Sequence, residues 1–173
     1  QAIKARFADR EAFLPLLKTF FDHGIDAIMG PFSGNDHAVN ALLYAQDRLG
    51  KKLIIIDTPV LDVDDTVEAR RTAAAQIRKS AEVLGADFCM IHHASCEQLV
   101  NKNTQTIDRI EDYLSMIRER GMHPGLSAHM PEVLLYADYN GYDVESYIQI
   151  FNLLGFLMQI EVETIVKTIY SAR

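Results

Sequence analysis

The stretch Gly85-Ala-Asp-Phe-Cys-Met-Ile-His-His93 decides the fold. It opens on a glycine that ends a helical run, passes through four residues that are apolar on both faces (Phe88 to Ile91), and closes on two histidines. Glycine after a last helical turn takes the left-handed cap that other residues resist. A short apolar run of this kind fits a strand buried on both sides of a parallel sheet. The same punctuation recurs at Gly24, Gly50, Gly121 and Gly141. Strand-like runs follow each glycine, at residues 26–29, 53–56, 88–91, 126–129 and 147–151. Five alternations of helix and buried strand predict five βα units around a parallel sheet.

The helical segments carry their own signals. Residues 106–120 place Ile107, Ile110, Leu114 and Ile117 on one stripe, with Asp108, Glu111 and Arg118 off it, which predicts an amphipathic helix. A helix over residues 66–84 opens with Asp65 and Glu68 at capping-box spacing. Pro131 and Glu132 read as the first turn of a helix over 132–139, and Asp36 as the N-cap of one over 37–49.

At 173 residues the chain has the length of one domain, and 49% hydrophobic with 24% charged residues is the composition of a folded globular protein. A net charge of -7 opposes binding to nucleic acid, whose phosphates are met by clustered Lys and Arg. The longest apolar run, near residues 153–160, is interrupted by Gln159 and falls short of the roughly 20 residues that span a bilayer. Two cysteines, Cys89 and Cys96, supply neither a disulfide framework nor a zinc quartet, so a reducing, cytoplasmic setting is expected.

Parallel βα units either close into an eight-stranded barrel or stay open with helices on both faces. No Gly-rich dinucleotide fingerprint and no phosphate-loop Gly-Lys-Ser/Thr is present. The expected fold is therefore a single α/β domain over residues 1–173, a (β/α)8 TIM barrel of which this chain supplies about five units and lacks the first and last strands. Function in such folds sits at the C-terminal strand ends. Those ends hold His37, Asp57, His92, His93, Ser127, His129, Gln149 and Asn152, including four of the six histidines. Because strand side chains alternate, His92 and His93 are expected to face opposite ways, one into the mouth and one under a helix.

In their order along the chain, several segments resemble the aldo/keto reductases. Gly24-Ile-Asp-Ala-Ile through Phe32-Ser-Gly-Asn-Asp-His37 and on to Leu53-Ile-Ile-Ile-Asp-Thr58 is similar to that family's second strand, tyrosine loop and third strand. Met90-Ile-His92 resembles its histidine strand, Gly125-Leu-Ser-Ala-His129 its nicotinamide-holding segment, and Ile148-Gln-Ile150 its glutamine strand. The resemblance implies a catalytic role for His92 and cofactor-binding roles for Ser127 and Gln149. It breaks at the general-acid tyrosine, where Phe32 stands, at its aspartate, where Ala27 stands, and at its lysine, absent from 57–59. A nicotinamide-holding asparagine is replaced by Ala128.

The residues therefore predict an enzyme acting on a small polar metabolite, with His92, His129 and Asp57 as catalytic groups and as ligands of a possible divalent metal. NADPH-dependent reduction with His92 as the surviving acid is the alternative, and a non-catalytic barrel that binds a metabolite or partner is a third reading. No nucleic-acid or membrane partner is expected. Leu153-Leu-Gly-Phe-Leu-Met158 would suit a homo-oligomer face, but a helix covering the barrel is the simpler expectation.

Overall fold

A computed structural model describes residues 10–172. Helix α1 (Arg10–Asp22) leads into strand β1 (Ala27–Gly30), followed by α2 (Asp36–Leu49), β2 (Ile54–Asp57), α3 (Val67–Lys79) and β3 (Phe88–Ile91). A single turn, α4 (His93–Cys96), precedes a two-residue hairpin of β4 (Val100–Asn101) and β5 (Thr106–Ile107). The chain continues through α5 (Ile110–Arg118), β6 (His123–Ala128), α6 (Pro131–Asn140), β7 (Ser146–Gln149) and α7 (Val162–Ser171).

The principal sheet has the order β1-β2-β3-β6-β7, parallel throughout. Each step goes the same way across the sheet, and right-handed crossovers then put every connecting helix on the same face. A doubly wound sheet would reverse direction. The result is a curled half-barrel of five strands, in place of the eight of a closed barrel.

The two faces of the sheet differ as this topology requires. Ile55, Asp57, Cys89, Ile91, Leu126 and Ala128 alternate onto the helix-covered face and are buried. Leu17, Leu42, Ile77, Leu114 and Ile117 from the helices complete that core. On the other face Met29 and Ile54 remain 53% and 43% exposed, where a closed barrel would interdigitate such side chains.

All five predicted cap glycines have positive φ, from 59° at Gly50 to 75° at Gly24. Three helix starts differ from expectation. Asn35, not Asp36, caps α2, its Oδ1 accepting from the His37 and Ala38 amides, while Asp36 pairs with Lys79 at 2.7 Å. Thr66, not Asp65, caps α3 by accepting from Ala69, and the helix ends in a wider π turn over Ser80–Leu84 before Gly85. The periodic stretch at 106–120 yields its first residues to the hairpin with Val100–Asn101, and Arg109 at φ 59° starts the helix only at Ile110. Residues 153–158 form turns instead of a covering helix, with Leu153 and Leu154 about nine-tenths exposed. No helix among the described residues is long and apolar enough to cross a membrane.

Candidate functional site

The histidines gather where β3 ends. His92 follows the last strand residue, its amide donating to the Pro59 carbonyl at 3.1 Å. Its Nδ1 accepts from the Ala94 amide at 3.2 Å, capping the turn that begins at His93. A neutral ring that accepts at Nδ1 carries its proton on Nε2, so His92 presents a hydrogen-bond donor. The expectation that His92 and His93 face opposite ways does not hold, because strand alternation stops at Ile91. The rings lie with centroids 4.2 Å apart, and both residues are half-buried. His93 in turn stacks on His129, which follows β6, at 3.9 Å.

Glu97 completes the cluster from one helical turn beyond His93. Its Oε1 accepts from the amides of His129 and Met130, at 2.5 and 3.0 Å, and so binds the α4 turn to the N-terminal end of α6. A carboxylate at a helix start is favourable in itself, through the orphan amides and the dipole. A ring nitrogen of His93, a ring nitrogen of His129 and a carboxylate oxygen of Glu97 all lie within 4.8 Å of one another. Burial holds His92 and His93 below the ordinary imidazole range, and the neighbouring rings add to this: His93 and His129 for His92, His129 for His93. Both imidazoles are thereby kept neutral near pH 7.

The chain matches no known protein family, no characterised protein and no solved structure.

Of the three donors expected to share a centre, the structure gathers His129 and places His92 alongside, but Asp57 does not join the group. Asp57 is fully buried on the helix-covered face, accepting from the Ser33 amide at 3.1 Å and the Ser80 hydroxyl at 2.6 Å. Gln76 extends this network by donating to the Ser33 hydroxyl at 2.8 Å. Two residues before Pro59, Asp57 reads as a mouth residue in the sequence; the alternation of β2 sends it to the other face.

Ser127 and Gln149 lie on neighbouring strands, Ser127 beside Ile148 and Gln149 beside Ala128. The Gln149 side-chain amide donates to the carbonyls of His129 and Ile150, while its Oε1 is buried without a partner among the described residues. Cys96 is fully buried, donates to the Ser127 carbonyl at 3.0 Å, and has its thiol pushed up to about 12, by burial first and then by Glu97. Such a thiol is structural, not nucleophilic. His37 sits exposed in the first turn of α2, and Glu132 pairs with Lys102 at 2.7 Å, so neither joins the cluster.

Sequence reasoning passed over Glu97 and weighted His92 above His93. The missing signal was the four-residue spacing of His93 and Glu97, which puts both side chains on one face of a helical turn. Reading the strand as continuing through His93 concealed it.

Proposed function

We propose that this chain carries the reaction centre of an enzyme acting on a small polar metabolite, located at the C-terminal strand ends and built from His92, His93, Glu97 and His129. The observation that carries the reading is the convergence of three half-buried imidazoles from β3 and β6, in a row with centroids 4.2 and 3.9 Å apart, beside a carboxylate. Purely structural histidines are usually enclosed singly and satisfied by hydrogen bonds. Several polar groups converging at strand ends fit a site better.

His92 presents Nε2–H to an acceptor oxygen of the substrate, and His129 and His93 offer ring nitrogens as base or ligand. The sheet fits five consecutive units of a (β/α)8 barrel, on the strength of its single direction of winding, its open apolar face and its two edges, β1 and β7, that are unpaired among the described residues. A cytoplasmic setting accords with the two buried, free cysteines. NADPH-dependent reduction has less support. Phe32, at the position of the general acid, has no proton to give, and Gln149 directs its side-chain amide to the backbone.

Turnover of a panel of small hydroxy acids, keto acids, aldehydes and sugars tests the proposal, with His92→Ala and His129→Ala measured beside the wild type. Loss of at least 100-fold in kcat/KM in both variants, with unchanged circular dichroism, is expected. A substrate turned over equally by all three proteins contradicts the assignment. Binding of a panel compound without turnover would favour a metabolite-binding role.

A further inference from the structure

We infer that His93, Glu97 and His129 form a binding site for one borderline divalent metal ion of the zinc class, with an open coordination position; this rests on the reading of the strand ends as the reaction centre and deepens it. Three features carry the inference. The ligand atoms lie within 4.8 Å of one another. Around a tetrahedral ion with bonds of about 2.0–2.2 Å, ligand atoms sit roughly 3.3–3.6 Å apart, so the His93 and His129 rings, which lie face to face, turn and move by about an ångström to close the set. The donors also come from two rigid supports: His93 and Glu97 from one helical turn after β3, and His129 from the end of β6.

Second, the site is braced. Glu97 is held by two backbone amides, His129 and Met130, which fixes its carboxylate while leaving the second oxygen's acceptor sites for an ion. The His129 carbonyl is held by Gln149, whose Nε2 donates to it at 3.2 Å. Supporting contacts of this kind orient ligands and raise affinity. Third, the donor set is selective. Two imidazoles and one carboxylate suit Zn(II), Co(II) or Fe(II), whereas Mg(II) and Ca(II) prefer all-oxygen sites. Three protein ligands leave at least one position for water or a substrate oxygen, as catalytic sites require and structural sites do not. His92, whose Nδ1 is engaged by the Ala94 amide, lies outside the ligand set and next to it, where its Nε2–H can donate to an oxygen bound at the ion.

The test uses the full 173-residue chain, stripped with chelator and titrated with Co(II) and Zn(II) by visible absorption and calorimetry. The expected result is one equivalent bound with a Kd of 10 µM or below, weakened at least 100-fold in His93→Ala and His129→Ala and at least tenfold in Glu97→Gln. That last variant keeps an acceptor for the two amides, so its fold is preserved. His37→Ala, which removes an exposed histidine elsewhere, should change affinity less than threefold. Absence of stoichiometric binding up to 1 mM, or binding that survives both His93→Ala and His129→Ala, overturns the inference. Binding as described with no turnover of any metabolite leaves the metal site standing and counts against the enzyme reading. Turnover that persists in chelator-stripped protein and is abolished by His129→Ala does the reverse.

Discussion

Two polar clusters lie beside the same sheet, and they are built on opposite terms. Around Asp57, at the end of β2, the carboxylate, the Ser33 amide, the Ser80 hydroxyl and the Gln76 amide are joined, and Asp57, Ser33 and Ser80 have no exposed surface. Around His93, at the ends of β3 and β6, the side chains are half-buried and crowd one another's rings, and the His93 and His129 ring nitrogens have no hydrogen-bond partner among the described residues. A satisfied, enclosed network contributes rigidity; a converging, open one is available for chemistry. Residue type alone does not separate them. What separates them is how much of each group's hydrogen-bonding capacity the fold itself uses.

Substitutions should expose that division. Asp57→Ala leaves the buried Ser33 amide unpaired beside a cavity and limits the Ser80 hydroxyl to the Gln76 carbonyl, and a loss of about 3 kcal/mol in urea unfolding is expected. A loss below about 1 kcal/mol would mean the network is not structural. Glu97→Ala strands the His129 and Met130 amides at the start of α6 and should cost about 1–2 kcal/mol, while Glu97→Gln stays close to wild type by the same measurement. His129→Ala should change stability by less than about 1 kcal/mol and still abolish activity, the reverse of the Asp57 profile.

The smallest effect is a pH dependence in metal-free protein. His92 and His93 are held below their ordinary value near 6.5 by burial and by neighbouring imidazoles, so the unfolded chain takes up protons first as pH falls. Their contribution is therefore complete above about pH 6.5 and declines below it, levelling off once the folded rings are protonated too. Urea midpoints at pH 7.5 and 5.5 should show this decline. The double variant His92→Ala/His93→Ala should flatten it. An equal decline in that variant would assign the effect to other groups, although the displaced carboxylates Asp22, Asp36, Asp143 and Glu145 titrate at lower pH.

Much of the architecture was legible in the sequence, because its signals are local. The five glycines needed a left-handed conformation wherever the helices ended, and the five apolar runs could be buried only in a sheet covered by helices. Helix starts were less legible. Asn35 and Thr66 each stand next to an acidic residue that caps equally well on paper, and the hairpin took Thr106 and Ile107 from a stretch whose periodicity favoured a helix. The site was legible as a place, the strand ends, but not as a set. Asp57 and His92 shared a sequence context with mouth residues, yet which face a side chain joins depends on where its strand begins and stops. Glu97 meets His129 across 32 residues, through backbone amides that no spacing announces.

The most direct test of the open cluster is ¹⁵N NMR of the histidine rings during titration of chelator-stripped protein with Zn(II). The ring nitrogens of His93 and His129 should move to metal-bound shifts at one equivalent, with His37 unmoved and His92 retaining its proton on Nε2. Uniform small shifts across all histidines, or saturation at His37 before His93 and His129, would contradict the account.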